Sequence, residues 1–153
     1  MKRLIVYGLI LVVLLFVPMA DNDIGKLQPI EVVQVYRQGQ QVIICTDTGD
    51  QGAGTTALSA LQDLKDTTPG YIYLDTAEYL LLNTEAIQDV EDLRSILKRN
   101  LQICFAEIEL DLHLVAKYLP AHGELPQLKD WNMGDMLPEL TVENESLRFL
   151  KKI

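Results

Sequence analysis

Residues 4–20 form an apolar run interrupted only by Tyr7, Gly8 and Pro18, with Lys2 and Arg3 before it and Asp21, Asn22 and Asp23 after it. A stretch this rich in Leu, Val and Ile must leave water, and basic flanking at an extreme terminus points to a membrane rather than to a buried core helix. As a helix the run spans ~26 Å at ~1.5 Å per residue, just under a ~30 Å hydrocarbon core yet longer than the ~7–15 residues of a cleavable signal. Basic residues before the run and acidic ones after it place the N-terminus inside and the remainder outside. Leu4, Ile5, Leu9, Val12, Leu15 and Phe16 are then the side chains that hold the chain in the bilayer.

A signal peptidase needs small residues at the last and third-last positions of a leader. Ala20 suits the first role, but Pro18 occupies the second and spoils the site, which favours an uncleaved anchor. Release after Ala20 is the alternative, giving a secreted domain. Lipid attachment would need a cysteine beside the run, and the chain has cysteines only at 45 and 104.

Residues 1–20 therefore read as a signal or anchor segment and residues 21–153 as one extracytoplasmic domain, long enough for a single core and too short for two. The whole chain carries net charge −9, and without Lys2 and Arg3 the remainder carries −11. Such a surface repels nucleic-acid phosphates, and no basic cluster exceeds Lys98-Arg99 or Lys151-Lys152, so no nucleic-acid partner is expected. Export would permit a disulfide between Cys45 and Cys104. Each lies in an apolar stretch, VIIC and ICF, and that context favours two core thiols over a bridge.

Residues 30–37 (IEVVQVYR) and 40–47 (QQVIICTD) are alternating β-branched runs joined at Gln38-Gly39, the pattern of a hairpin. Residues 47–54 (DTGDQGAG) read as a glycine-rich acidic loop. Thr55 or Thr56 then caps a helix with Leu58, Leu61 and Leu64 on one face, stopped by Pro69-Gly70. Residues 71–75 and 79–82 read as two strands, or as one long bent strand interrupted near Ala77, and Thr84 opens a second helix with Ile87, Val90, Leu93, Ile96 and Leu97 as its apolar stripe. A strand over 101–107, a short helix over 110–119 ended by Pro120, a loop over 122–138 and a terminal strand within 140–149 complete the domain. Strands and helices without strict alternation predict an α+β fold: a single mixed or antiparallel sheet packed by two or three helices, preceded by the N-terminal hydrophobic helix.

Asp47-Thr48-Gly49 has the form of the turn that presents an aspartic-protease carboxylate, which works only with a second aspartate sharing its proton. A supporting apolar-apolar-Gly segment is missing, since no glycine lies between Gly70 and Gly123. An Asp-Gly turn at a strand end is the plainer account. Residues 52–56 (GAGTT) precede a helix as phosphate loops do, but lack the lysine and are flanked by Asp47 and Asp50. His113 and His122 have no partners at metal-ligand spacing, and Ser59, Ser95 and Ser146 lack the glycines of a nucleophile elbow. Asn144-Glu145-Ser146 matches a glycosylation sequon, a pattern too common to carry weight. Trp131, the sole tryptophan, anchors either its own loop or a partner, and packing is the favoured reading. No catalytic, cofactor or metal residue is proposed.

The order of these features resembles the N-terminal domain of the Ger(x)C family, the C subunits of spore germinant receptors. It is carried by the leader, Ile24-Gly25-Lys26-Leu27 into a strand, the helix start Ala57-Leu58-Ser59-Ala60-Leu61, the triplet Leu80-Leu81-Leu82 before Asn83-Thr84-Glu85, and residues 136–142 (MLPELTV). The resemblance implies a noncatalytic membrane-tethered domain that assembles with other membrane proteins in sporulation or germination, here in a shortened form. Relatives are tethered by a lipidated cysteine, so the resemblance leaves anchoring here to residues 4–20. A small envelope hydrolase using Asp47 and a secreted binding module are the alternative functions.

Overall fold

The computed structural model describes residues 27–97 and 100–150. The membrane-anchor expectation for residues 4–20 lies outside them, as do Lys98 and Arg99. Among the described residues nine strands and three α-helices follow in the order β1 (Leu27–Pro29), β2 (Val32–Gln38), β3 (Gln41–Thr46), β4 (Gln51–Gly54), α1 (Ala57–Thr67), β5 (Tyr71–Tyr73), β6 (Tyr79–Leu82), α2 (Val90–Ile96), β7 (Gln102–Phe105), α3 (Leu112–His122), β8 (Glu139–Glu143) and β9 (Ser146–Leu150). Seven strands make one mixed sheet in the order β4-β3-β2-β6-β7-β8-β9, and β1 and β5 form a separate parallel pair.

The centre of the sheet, β2-β6-β7-β8, is parallel, with antiparallel hairpins at both ends. Strand β6 (YLLL) is buried throughout, because a central strand covered on both faces has no solvent side to alternate toward. Val33, Val35, Val42, Ile44, Leu80, Leu82 and Ile103 meet α1 and α2 on one face. Val32, Ile43, Cys45, Tyr79, Leu81 and Cys104 meet α3 on the other. A mixed sheet packed by three helices agrees with the α+β reading.

Four local readings are corrected. Residues 51–54 are not loop but edge strand β4, pairing Val42 with Gly54 and Ile44 with Gly52. Its glycines are there because α1 lies on top of them: a Cβ at Gly52 would stand 2.5 Å from the Leu64 Cβ, and one at Gly54 2.5 Å from the Ala60 amide. The buried face of α1 is consequently Ala57, Ala60, Leu61 and Leu64, small residues that allow close approach, while Leu58 is 65% exposed. Pro120 does not end α3, which runs to His122. Proline lacks the amide that would donate to the Ala116 carbonyl, so one bond of the ladder is forfeited there, but the helix carries on for two more residues and Gly123 at φ 109° makes the stop. The end of the chain supplies two strands, not one, turned by Asn144 and Glu145 at φ 51° and 61°.

Other boundaries follow from caps. The Thr56 hydroxyl accepts from the Ser59 amide at 3.1 Å, and the Ser59 hydroxyl accepts from the Thr56 amide at 3.0 Å, a reciprocal box that starts α1. Asn83 accepts from the Ala86 amide at 3.0 Å and opens a 3₁₀ turn, Thr84–Asp89, from which α2 continues.

Candidate functional site

Where β3 turns into β4 and the chain enters α3, a cavity of about 260 Å³ opens, lined by Cys45, Asp47, Asp50, Glu109, Asp111 and His113 among others. Folding thus brings the Asp47-Thr48-Gly49 turn beside the start of α3, more than sixty residues away in sequence. Buried Gln34 holds the far wall: its side-chain amide donates to the Ile108 carbonyl at 2.7 Å, and its oxygen accepts from the Leu110 amide at 3.2 Å.

The carboxylates here already have structural tasks. Asp47 accepts from the Glu31 amide at 3.2 and 3.3 Å, tying the turn to the link between β1 and β2. Thr48 donates to Asp50 at 2.8 Å, and the Gly49 amide donates to the Thr46 carbonyl at 3.0 Å with Gly49 at φ 88°. Asp111 caps α3, accepting from the His113 and Leu114 amides at 3.1 and 3.3 Å. Among the described residues no group of three or more His, Cys, Asp or Glu is placed to hold a metal ion.

Burial, then the charge of Glu109, pushes the Cys45 thiol up from 9.0 to about 11, against the pull of a hydrogen bond with Tyr36. The Tyr36 hydroxyl rises to about 12, chiefly through burial and then through Cys45 and Glu109. A thiol held this high is neutral near pH 7 and so a poor nucleophile. Burial pushes Cys104 to about 12. Both cysteines are free, on the same face of the sheet with β2 and β6 between their strands, a separation no disulfide spans.

The remaining candidates are dispersed. His113 is at the first turn of α3, whereas His122, at the last, packs on Phe149 with ring centroids 4.2 Å apart. The GAGTT segment is occupied by its own helix, and the Ala53 amide donates to Asp63 at 2.9 Å. Trp131 is buried, its indole N–H donating to the Asp135 carbonyl at 3.0 Å. Asn144-Glu145-Ser146 sits at the β8–β9 turn.

Sequence reading missed Gln34, Asn83 and the Arg37–Asp89 ion pair. Arg37 donates to Asp89 from Nε at 2.9 Å and from Nη2 at 2.6 Å, with side-chain exposures of 15% and 8%. Asn83 exchanges hydrogen bonds with the Arg37 backbone at 3.0 and 3.1 Å, extending the parallel ladder by one side chain. The one available signal was a glutamine amid the valines of β2, where a polar residue at a core position implies a fixed partner. Comparison with protein-family models, with curated proteins and with solved structures finds no match for this chain.

Proposed function

We propose that this chain is a noncatalytic domain held on the outer face of a membrane by residues 4–20, where it assembles with other membrane proteins, as the resemblance to Ger(x)C proteins of germination suggests. The observation that carries the reading is the apolar run between Lys2-Arg3 and Asp21-Asn22-Asp23. The engagement of Asp47 and Asp111 with backbone amides supports the noncatalytic part, because each carboxylate holds a turn or a helix start in place. Cell fractionation tests it: the tagged chain should remain in the membrane pellet after an alkaline wash, and its C-terminal tag should be cut by protease added outside. A cytosolic pool would remove both the location and the role.

A small envelope hydrolase is the second reading, favoured by the presence of Asp47 and His113 in one cavity. On that reading Asp47→Asn abolishes any turnover measured on ester or peptide substrates, and unchanged turnover dismisses it.

A further inference from the structure

The domain carries two exposed tyrosines beside the point where the chain enters it. Strand β5 runs parallel to β1 with Leu27 opposite Tyr71 and Pro29 opposite Tyr73, so Tyr71 is level with the first described residue. Tyr71 is 59% exposed and Tyr73 45%, while Ile72 between them packs against the core. Alternation along a strand therefore puts both phenol rings on one side, away from the protein.

This strand is fixed rather than loose. The Thr76 hydroxyl, one turn past β5, accepts from the Ile30 amide at 2.9 Å and has the Ile30 and Tyr73 carbonyls, each at 2.9 Å, as acceptors for its single proton. One side chain thus clamps β5 to the segment that leads out of β1. Whatever holds the start of β1 also holds the two tyrosines.

Six residues separate Ala20 from Leu27, and at full extension they span no more than about 25 Å. If the anchor ends at the membrane surface, Leu27 lies within that distance of it, Tyr71 one strand spacing of ~5 Å further on, and Tyr73 two residues along the strand from Tyr71. Tyrosine, like tryptophan, suits the headgroup layer, with an apolar ring and a hydroxyl that stays wet. The charge of −11 outside the leader opposes attraction to anionic lipid, so contact here must depend on the aromatic rings.

We infer that the β5 edge is a membrane-facing surface, with Tyr71 and Tyr73 seated in the interfacial layer of a zwitterionic bilayer and the domain held down rather than free on its tether. The inference rests on the anchored reading above. In the full chain reconstituted into phosphatidylcholine vesicles, Tyr71→Trp should be quenched by lipids brominated near the headgroup at least about twofold more than the wild type, whose single tryptophan, Trp131, is buried. Tyr73→Trp, made separately, should behave likewise, so a folding defect of one variant does not remove the test. Quenching should persist in high salt. Flotation of the vesicles separates the two claims: chain that floats with tryptophans no more quenched than Trp131 overturns the seating and leaves the anchor, whereas chain that does not float overturns both.

Discussion

The two faces of the central sheet are built on different rules. On the α1 and α2 side the strands contribute mainly aliphatic residues, and contact is closed by removing side chains altogether at Gly52 and Gly54. On the α3 side the same strands present Gln34, Tyr36, Cys45, Tyr79 and Cys104, and the layer opens into the cavity. The first face is held by shape, where the packing of interiors penalises any added atom. The second is held by matching donors to acceptors, where removing one partner strands another. Substitutions should therefore act by different mechanisms on the two sides.

The largest effect should come from the shape-limited face. Gly52→Val places atoms where the backbone of Ala60 and Leu64 already lies, and neither helix backbone nor sheet backbone can yield cheaply. A loss of about 3 kcal/mol is expected from overpacking, read as a fall in urea midpoint. Gly39→Ala is the internal comparison: open space surrounds it, and only its φ of 62° is strained, so about 1 kcal/mol is expected. Equal costs at the two positions would show that α1 does not sit on β4 as described. Next comes Asp89→Ala, which strips the partner from Arg37 at the end of the same face and should cost about 3 kcal/mol, since a charge is left nearly buried. Asp89→Asn should recover part of that loss by keeping a hydrogen-bond acceptor.

The same contrast decides what could be read from the sequence. Hairpin β2–β3, the stop at Pro69-Gly70 and the strands near Tyr71 and Tyr79 follow from alternation and turn residues, which are local signals. Strand β4 was hidden because QGAG has the composition of a loop, and only the presence of α1 above it explains the glycines. Leu58 was misplaced for the same reason: the helix face that fits a glycine strand is lined by alanines, against the pull of the larger leucine. The turn at Asn144-Glu145 escaped because glutamate rarely takes a left-handed conformation. At the cavity, Asp47 stood out as a motif. That Asp111 and His113 would join it depends on where the β7–α3 connection is pinned by Gln34, and this is a tertiary fact.

On the polar face, Gln34→Leu should cost about 2 kcal/mol, because the Ile108 carbonyl and Leu110 amide lose their partner while the core gains an apolar side chain of similar size. Proteolysis within residues 107–111 should accelerate alongside. A loss of stability without local cleavage would mean that the loop is fixed by other contacts.

The smallest effect is absent at neutral pH and emerges only in alkali. Cys45 is neutral in the fold up to about pH 11, while an ordinary thiol ionises near 9.0, so between these values the unfolded chain has released a proton that the folded chain retains. Stability from this group is complete below about pH 9 and is lost as pH rises through about 11. Tyr36, raised to about 12 by burial and then by the charges of Cys45 and Glu109, extends the same decline. Cys45→Ala removes one proton from that balance and leaves the glycine-seated face untouched. Its urea midpoint, plotted against pH from 8 to 11 alongside that of the wild type, should fall less steeply above pH 9, with a constant offset below it. Two parallel curves would show that Cys45 is as well solvated in the fold as in the unfolded chain, and would erase the distinction between the faces at this residue.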